Sequence, residues 1–367
     1  MSRPLLIAAG GTGGHMFPAL AVAAELRRRG RAVALLTDPR GARFAGGERH
    51  CTVIAAASPS GGLAARSLAL ATLARGLVQS LAAVRRLRPA AAAAFGGYAS
   101  VPAALAARLA RVPLLVHEQN AVMGRANRLL ARLAQRIVLS FAGTAAVPGL
   151  PAERVVLAGN PVRPGFAGAN GAALADRATD RADERLHLLI LGGSQGARIF
   201  ADVLPAAVAL LPAGLRARLA IAQQCRSEDL ERVRAAYAAI GQPVELAAFF
   251  DDVPARMARA DLVIARSGAS TVAELLALAR PALLVPYAFA ADDHQTANAR
   301  ALAEAGAAIL LPQSEATPAA LARHLVELLA DPARRAAMAE AARTLARPDA
   351  AAAIADALEA LARGVAR

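Results

Sequence analysis

The chain has 367 residues, of which 102 are Ala and none is Lys or Trp. Its 42 basic residues are therefore all Arg, against 28 acids, for a formal net charge of +14. Without Lys there is no Schiff-base chemistry on a side chain and no Walker loop, which needs a Lys for the phosphates.

Strand-like apolar runs fall near 3–9, 32–37, 51–55, 90–95, 112–116 and 136–139, with helical patterns over 17–30, 64–88, 99–111 and 124–134. The alternation then repeats. Strands are predicted near 186–191, 217–222, 243–247, 261–265, 281–285 and 307–310, and helices near 195–211, 227–240, 269–279, 293–305 and 317–330. Such alternation predicts parallel sheets covered by helices on both faces. Its double occurrence, in a chain long enough for two cores, predicts an α/β protein of two doubly wound domains. The turn-rich Gly159-Asn160-Pro161-Val162-Arg163-Pro164-Gly165 sets the boundary, giving domains 1–162 and 163–347. The polar stretch 165–185 reads as a surface loop, and a C-terminal helix within 348–367 is expected to cross back onto the first domain.

With no run of 18 apolar residues, no membrane-spanning helix is expected, and Met1-Ser2-Arg3-Pro4 does not open a signal peptide. Cys51 and Cys225 lack a CxxC spacing and read as small core residues in a reducing compartment. No His/Cys/Asp cluster has a metal spacing; Asp292-Asp293-His294 reads as a helix start with acids at the positive dipole end.

The charge is uneven. Residues 1–162 hold 20 Arg and 5 acids, residues 163–345 hold 19 Arg and 20 acids, and no acid occurs between Arg49 and His117. The excess points to a nucleic acid, an anionic membrane or a phosphorylated substrate on the first half. Within the acid-free stretch, Leu68, Leu70, Leu73 and Val78 run with Arg66, Arg75, Arg85 and Arg86. That helix either lies on an anionic leaflet or packs on the core with its Arg outward. An aromatic content of 3% leaves few stacking platforms for nucleic acid.

Four glycine loops carry the chemistry. Gly10-Gly11-Thr12-Gly13-Gly14-His15 joins the first strand to a helix, where bare amides and the helix dipole favour an anion. It is not a dinucleotide fingerprint, since Asp38 is the only candidate ribose acid. Gly96-Gly97-Tyr98, Gly192-Gly193-Ser194-Gln195-Gly196 and Ser267-Gly268-Ala269-Ser270-Thr271 also follow strands. Together they place phosphate-friendly loops at strand C-termini in both halves.

These residues resemble the MurG family of peptidoglycan N-acetylglucosaminyltransferases. The resemblance rests on GGTGGH at 10–15, FGGYASVP at 95–102, HEQN at 117–120, GNPVR at 159–163, GGSQGAR at 192–198, RSGASTVAE at 266–274 and DDHQTANA at 292–299. It implies a GT-B fold, two Rossmann-like domains facing across a cleft. It also implies inverting transfer of GlcNAc from UDP-GlcNAc to the C4 hydroxyl of undecaprenyl-diphospho-MurNAc-pentapeptide, lipid I, on the cytoplasmic face of the bacterial inner membrane.

Carried over by motif, the resemblance puts Thr12, Gly13 and Gly14 near the transferred sugar and the acceptor's diphosphate, and Asn120 on the GlcNAc. Arg163 and Ser194 would meet the donor's phosphates or nucleotide, and the backbone at Phe250 the uracil. Ala269, Ser270, Thr271, Val272 and Ala273 would present a helix N-terminus to the diphosphate, with Glu274 on the ribose hydroxyls and Gln295 on the sugar hydroxyls. His15 is the candidate general base, with Glu118 and Tyr98 as rivals. His15 could instead only hydrogen-bond substrate, and Glu118 could be a buried orienting carboxylate. No cofactor is required, with Mg²⁺ expected at most as a companion of the nucleotide; no nucleic-acid partner is expected.

Departures from the family pattern occur at Ser58-Pro59-Ser60-Gly61-Gly62, which lacks a basic residue after Gly, and at Gln223-Gln224-Cys225-Arg226, where His-Gln-Ser/Thr-Gly is usual. His294 stands where some members have Gln, as a group able to donate to a sugar hydroxyl.

Overall fold

The computed structural model describes residues 3–46, 50–59, 61–144, 151–166, 185–193 and 196–364. The chain divides into two compact units, Met1–Arg163 with Arg347–Arg367, and Pro164–Ala346. Both junctions fall one residue from the sequence boundaries, so Arg163 belongs to the first unit rather than the second. Most of the expected loop over 165–185 lies outside the described residues.

The first unit runs β1 (Leu5–Ala8), α1 (Gly13–Arg28), β2 (Val33–Thr37), α2 (Pro39–Ala42), β3 (Cys51–Val53), α3 (Leu63–Leu87), β4 (Ala91–Ala94) and α4 (Ser100–Leu109). It continues with β5 (Leu114–Glu118), α5 (Arg125–Ala131), β6 (Arg136–Leu139) and β7 (Val155–Leu157). The seven strands form one parallel sheet in the order β3-β2-β1-β4-β5-β6-β7. Every residue of β1, β2, β4 and β5 is buried, which is why these strands read as unbroken apolar runs. β4 is four alanines, a helix-former by propensity. Pairing with β1 on one side and β5 on the other overrides that preference.

The second unit runs β8 (Leu186–Leu191), α6 (Arg198–Ala209), α7 (Ala213–Ala217), β9 (Leu219–Gln224), α8 (Leu230–Ala239), β10 (Val244–Ala247) and α9 (Val253–Arg259). Then come β11 (Leu262–Ala265), α10 (Ala269–Ala277), β12 (Ala282–Leu284), α11 (His294–Glu304), β13 (Ala308–Leu310), α12 (Pro318–Ala330) and α13 (Pro332–Leu345). Its sheet is also parallel, ordered β10-β9-β8-β11-β12-β13. Each sheet reverses its order once, at β1/β4 and at β8/β11. Loops leaving the two strands of such a switch point part at their C-terminal ends and leave a crevice where α/β sheets hold ligands.

The last helix, α14 (Ala350–Ala362), returns to the first unit as expected and packs on α1, β4 and β5. Ile354, Leu358 and Leu361 enter the core with Leu5, Ile7 and Leu26. Burial of each such side chain contributes about 1.5–3 kcal/mol. Arg29 pairs with Asp356 and Glu359, and Arg31 with Glu359 at 3.5 Å. Arg29 and Arg28 also bond Glu25, at 2.7 and 2.8 Å. The Arg28 hydrogen bond does most to hold the Glu25 carboxyl at about 2, against the opposing effect of burial.

Two expectations need correcting, and a third stands beside an observation that bears on it. Cys225 is buried, but Cys51 on β3 is only half-buried, because the β3 edge of the sheet is thinly covered. α1 begins at Gly13, four residues before the predicted start, so the glycine loop itself forms the first turn. And α3, 25 residues with a mean hydropathy of 1.4 over its most apolar window, is long and apolar enough to cross a membrane by length and composition.

Candidate active site

At the switch point of the first unit, Thr12 is the extended residue ahead of α1; its carbonyl accepts from the amides of His15 and Met16 at 3.1 Å, and the amides of Gly13 and Gly14 ahead of them have no intrahelical acceptor. Glycine is required around it by close approach. A Cβ on Gly10 would stand 2.4 Å from Ala99 Cβ, and one on Gly97, where φ is +75°, would stand 2.5 Å from Gly10 O. The loops after β1 and β4 therefore lie against each other. Asp38, after β2, braces the first of them. Burial alone would raise its pKa, but the amides of Gly11 (2.9 Å) and Gly41 (2.8 Å) and the Arg40 guanidinium (3.0 Å) outweigh that and hold it below its ordinary value. Its lone pairs are thus engaged in capping and loop bracing rather than offered to a ribose.

His15, half-buried in the first turn of α1, faces Gln119, with Nδ1 3.2 Å from Oε1. Gln119 follows β5, whose last residue, Glu118, is buried. Glu118 Oε1 accepts from the amide (3.0 Å) and side chain (3.2 Å) of Asn120, and Oε2 from Gly124 N (2.9 Å) and Asn127 Nδ2 (2.8 Å). With four donors, this carboxylate shapes the 119–124 turn and aims Asn120. Tyr98 is half-buried in the loop between β4 and α4. Arg163 stands with its guanidinium carbon 5.3 Å from the centre of the Phe17 ring, one turn beyond the glycine loop.

In the second unit the β8 loop is held by Gln224, whose Oε1 accepts from Gly192 N (3.1 Å) and whose Nε2 donates to Gly193 O (3.1 Å). Ser194, which follows, lies outside the described residues. β11 is followed by Arg266, buried, whose guanidinium donates to the carbonyls of Val285 (3.0 Å) and Pro286 (2.9 Å) between the Phe200 and Tyr287 rings. Burial lowers its pKa from the ordinary arginine value. α10 opens at Ala269, with Gly268 extended ahead of it. Its first turns hold Ser270, Thr271, Val272 and Ala273, and Glu274 is buried one turn in. Ser270 Oγ, a buried hydroxyl, has no hydrogen-bond partner among the described residues.

Gln295 in the first turn of α11 accepts from Tyr287 N at 3.0 Å, and its carbonyl accepts from Ser267 Oγ at 2.8 Å. The α11 start is thereby tied to the loop ahead of α10, and the Gln295 amide nitrogen is left for a ligand. Phe250 turns its ring inward under Arg256, 4.2 Å from the guanidinium carbon, so its backbone is what it can offer.

The chain matches the glycosyltransferase family 28 N-terminal domain over residues 5–139 and that family's C-terminal domain over 187–354. The UDP-N-acetylglucosamine–N-acetylmuramyl-(pentapeptide) pyrophosphoryl-undecaprenol N-acetylglucosamine transferase of Rhodospirillum centenum is 49% identical over 92% of this chain and 89% of its own length. The enzyme of that name from Paramagnetospirillum magneticum is 51% identical over 90% of this chain and 89% of its own. The crystal structure of Acinetobacter baumannii MurG superposes with a TM-score of 0.79 at 32% identity, covering 97% of this chain and 99% of that one. The chain belongs to the MurG family. Its two parallel sheets make the GT-B fold of that family. A putative UDP-N-acetylglucosamine 2-epimerase from Listeria monocytogenes, 15% identical with a TM-score of 0.72, covering 98% of this chain and 96% of that one, shares the fold alone.

At the positions that depart from the MurG pattern, the side chains have local work. Gln224 braces the glycine loop, and Arg226 packs on Gly196 while pairing with Asp229 at 2.9 Å. Gln223 is buried and accepts from the Tyr237 hydroxyl at 2.8 Å. His294 donates its Nδ1 hydrogen to Ala291 O at 2.7 Å. Among the described residues, no group of three or more His, Cys, Asp or Glu could hold a metal. Sequence reasoning missed Gln119 and the brace at Asp38. Both link segments distant in the chain, and only the HEQN motif gave a signal for the first.

Proposed function

We propose that this chain is an inverting glycosyltransferase that moves GlcNAc from UDP-GlcNAc to the C4 hydroxyl of undecaprenyl-diphospho-MurNAc-pentapeptide, giving lipid II. The observation that carries the mechanism is His15 at the open N-terminus of α1, its ring half-buried and held by Gln119. The acceptor oxygen attacks the anomeric carbon of GlcNAc, the bond from that carbon to the UDP oxygen breaks, and the hydroxyl proton passes to the His15 ring. One displacement inverts the anomeric centre and needs no covalent intermediate. UDP leaves with new charge on its terminal phosphate. The N-terminus of α10 supplies amides and the positive end of the helix dipole to that charge, and Glu274 takes the ribose hydroxyls. No resident metal is assigned; Mg²⁺ enters only with the nucleotide. Glu118 and Tyr98 are left with orienting roles, Glu118 because its oxygens already accept four hydrogen bonds.

The acceptor's lipid stays in a bilayer, and α3 is the surface we assign to it, on the cytoplasmic face where the nucleotide sugar is available. Its first half is uncovered. Leu63 is 84% exposed, Leu68 70% and Leu70 60%, with Arg66 and Arg75 exposed beside them. Its second half packs on α4, and a Cβ on Gly76 would stand 2.0 Å from Ala55 O, which fixes the helix to the body of the unit. A helix anchored along one side, apolar outside and flanked by Arg, suits lying on an anionic leaflet rather than crossing it. The same Arg residues without aromatic neighbours do not suit nucleic acid.

UDP-GlcNAc and a short-chain lipid I analogue should give UDP release that depends on both. No release above background sinks the assignment. Turnover of UDP-GlcNAc without acceptor would favour epimerase chemistry.

A further inference from the structure

Gln119 is buried between two histidines and two backbone carbonyls, and these surroundings fix the direction of every hydrogen bond. Its Nε2 lies 2.8 Å from Phe95 O and 3.0 Å from His117 Nδ1, and its Oε1 lies 3.2 Å from His15 Nδ1. A carbonyl oxygen only accepts, so the atom facing Phe95 O is the amide nitrogen; turning the amide over would set oxygen against oxygen. His117 is fully buried, and burial holds its pKa at about 4, so the ring is neutral with one hydrogen. Its Nε2 lies 3.0 Å from Gly159 O, again an acceptor only, which places that hydrogen on Nε2 and a lone pair on Nδ1. The two amide hydrogens of Gln119 thus go to Phe95 O and His117 Nδ1. Its oxygen is what remains for His15, so His15 Nδ1 must bring a hydrogen.

We propose that Gln119 is the positioning residue that holds His15 in its Nδ1–H tautomer, leaving the lone pair on Nε2 as the atom that receives the acceptor's proton. The inference rests on the reading of His15 as the base. The loop after β4 supports the arrangement sterically. Gly96 and Gly97 both have positive φ, and Cβ atoms there would stand 3.0 Å from His15 Nδ1 and 3.4 Å from its Cδ2. Glycine at 96 thus leaves room for the ring beside Gln119, while at Gly97 the close approach is to Gly10 O. An amide also differs from the carboxylate of a Ser-His-Asp triad: it fixes the tautomer without adding a negative charge beside the imidazolium.

Histidine ring ¹⁵N spectra of the whole protein, recorded at alkaline pH and assigned with His15→Gln, test this directly. Wild type should show a protonated Nδ1 and a bare Nε2 at His15. Gln119→Met, close in shape but unable to accept, should shift the ring towards Nε2–H. It should also lower kcat by about 10- to 10³-fold with KM for UDP-GlcNAc within about twofold. An Nε2–H ring in wild type, or an unchanged tautomer in Gln119→Met, overturns the proposal without recourse to any variant's activity. A shifted tautomer with unchanged kcat would leave the relay standing and overturn His15 as the base.

Discussion

The two sheets share one strand order over six strands, the first adding β7 at its edge, but their units hold their arginines differently. In the second unit Arg226 and Arg232 both reach Asp229, and Arg256 grips Glu245 through two bonds of 2.6 and 2.7 Å. In the first unit the interhelical pairs gather where α1 meets α14, while Arg66, Arg75, Arg85 and Arg86 of α3 are exposed and have no ion pair among the described residues. A paired charge is cancelled at a distance. Unpaired like charges add into a field that reaches about 8 Å at physiological salt. The excess of basic residues therefore belongs to the first unit, where α3 contributes four arginines without an ion pair among the described residues, while several arginines of the second are held by its own acids.

The contrast can be broken most sharply at the reacting groups. His15→Ala in the first unit should lower kcat by about 10²–10⁴ with little change in KM for UDP-GlcNAc. Glu274→Gln in the second should do the reverse, raising that KM by about 10–100-fold, the worth of a hydrogen bond to a charged group. Equal losses of kcat in both variants would erase the division into a proton-accepting and a nucleotide-holding unit.

Stability against acid comes next. His117 has its folded pKa depressed from 6.5 to about 4 by burial, so its stabilisation is full above pH 6.5 and is lost as pH falls towards 4. Across that window the unfolded chain takes up a proton that the folded ring refuses, which amounts to about 3 kcal/mol. Urea unfolding of wild type and His117→Asn at both ends of the window should show a smaller pH slope for the variant. Parallel slopes would remove His117 from the account.

The smallest effect sharpens the comparison of charge. Replacing Arg75, Arg85 and Arg86 by Ser should weaken sedimentation with phosphatidylglycerol vesicles by up to about 10²-fold, at about 1 kcal/mol per Arg, and added salt should shrink the difference. Replacing Arg226 and Arg232 by Ser should leave vesicle binding unchanged. If the second pair matters as much as the first three, the directed field is an illusion of composition.

The parallel strands were legible because buried strands cannot hide: Leu186–Leu191 and Leu262–Ala265 are apolar nearly throughout. β7 was missed because its three residues are partly exposed at a sheet edge and carry no alternation. α13 was missed because its Ala, Arg and Glu give no apolar stripe; its start is signalled by Asp331, whose side chain accepts from Arg334 N, and by Pro332 at the first helical position. α1 was begun too late because glycine is a poor helix former, yet here Gly13 and Gly14 form the first turn. The glycine loops and HEQN were expected at the C-terminal ends of strands, and that is where they lie in the sheets. That His15 and Gln119, 104 positions apart, share a hydrogen bond could not be read from spacing, since it depends on β1 and β5 lying on either side of β4. Asp38, the one candidate ribose acid by residue type, is instead held by the amides of Gly11 and Gly41 and by Arg40, and no residue pattern reveals the two backbone donors.

The return of α14 to the first unit has a consequence for the order of assembly on the ribosome. The core around Leu5, Ile7 and Leu26 is closed by Ile354, Leu358 and Leu361, and Arg29 waits for Asp356 and Glu359. The unit that is synthesised first is therefore completed last, after the whole second unit has emerged. Until then its α1 face is bare of its closing helix, and a nascent chain stalled between residues 346 and 350 carries an unsealed first unit and a second whose residues are all made.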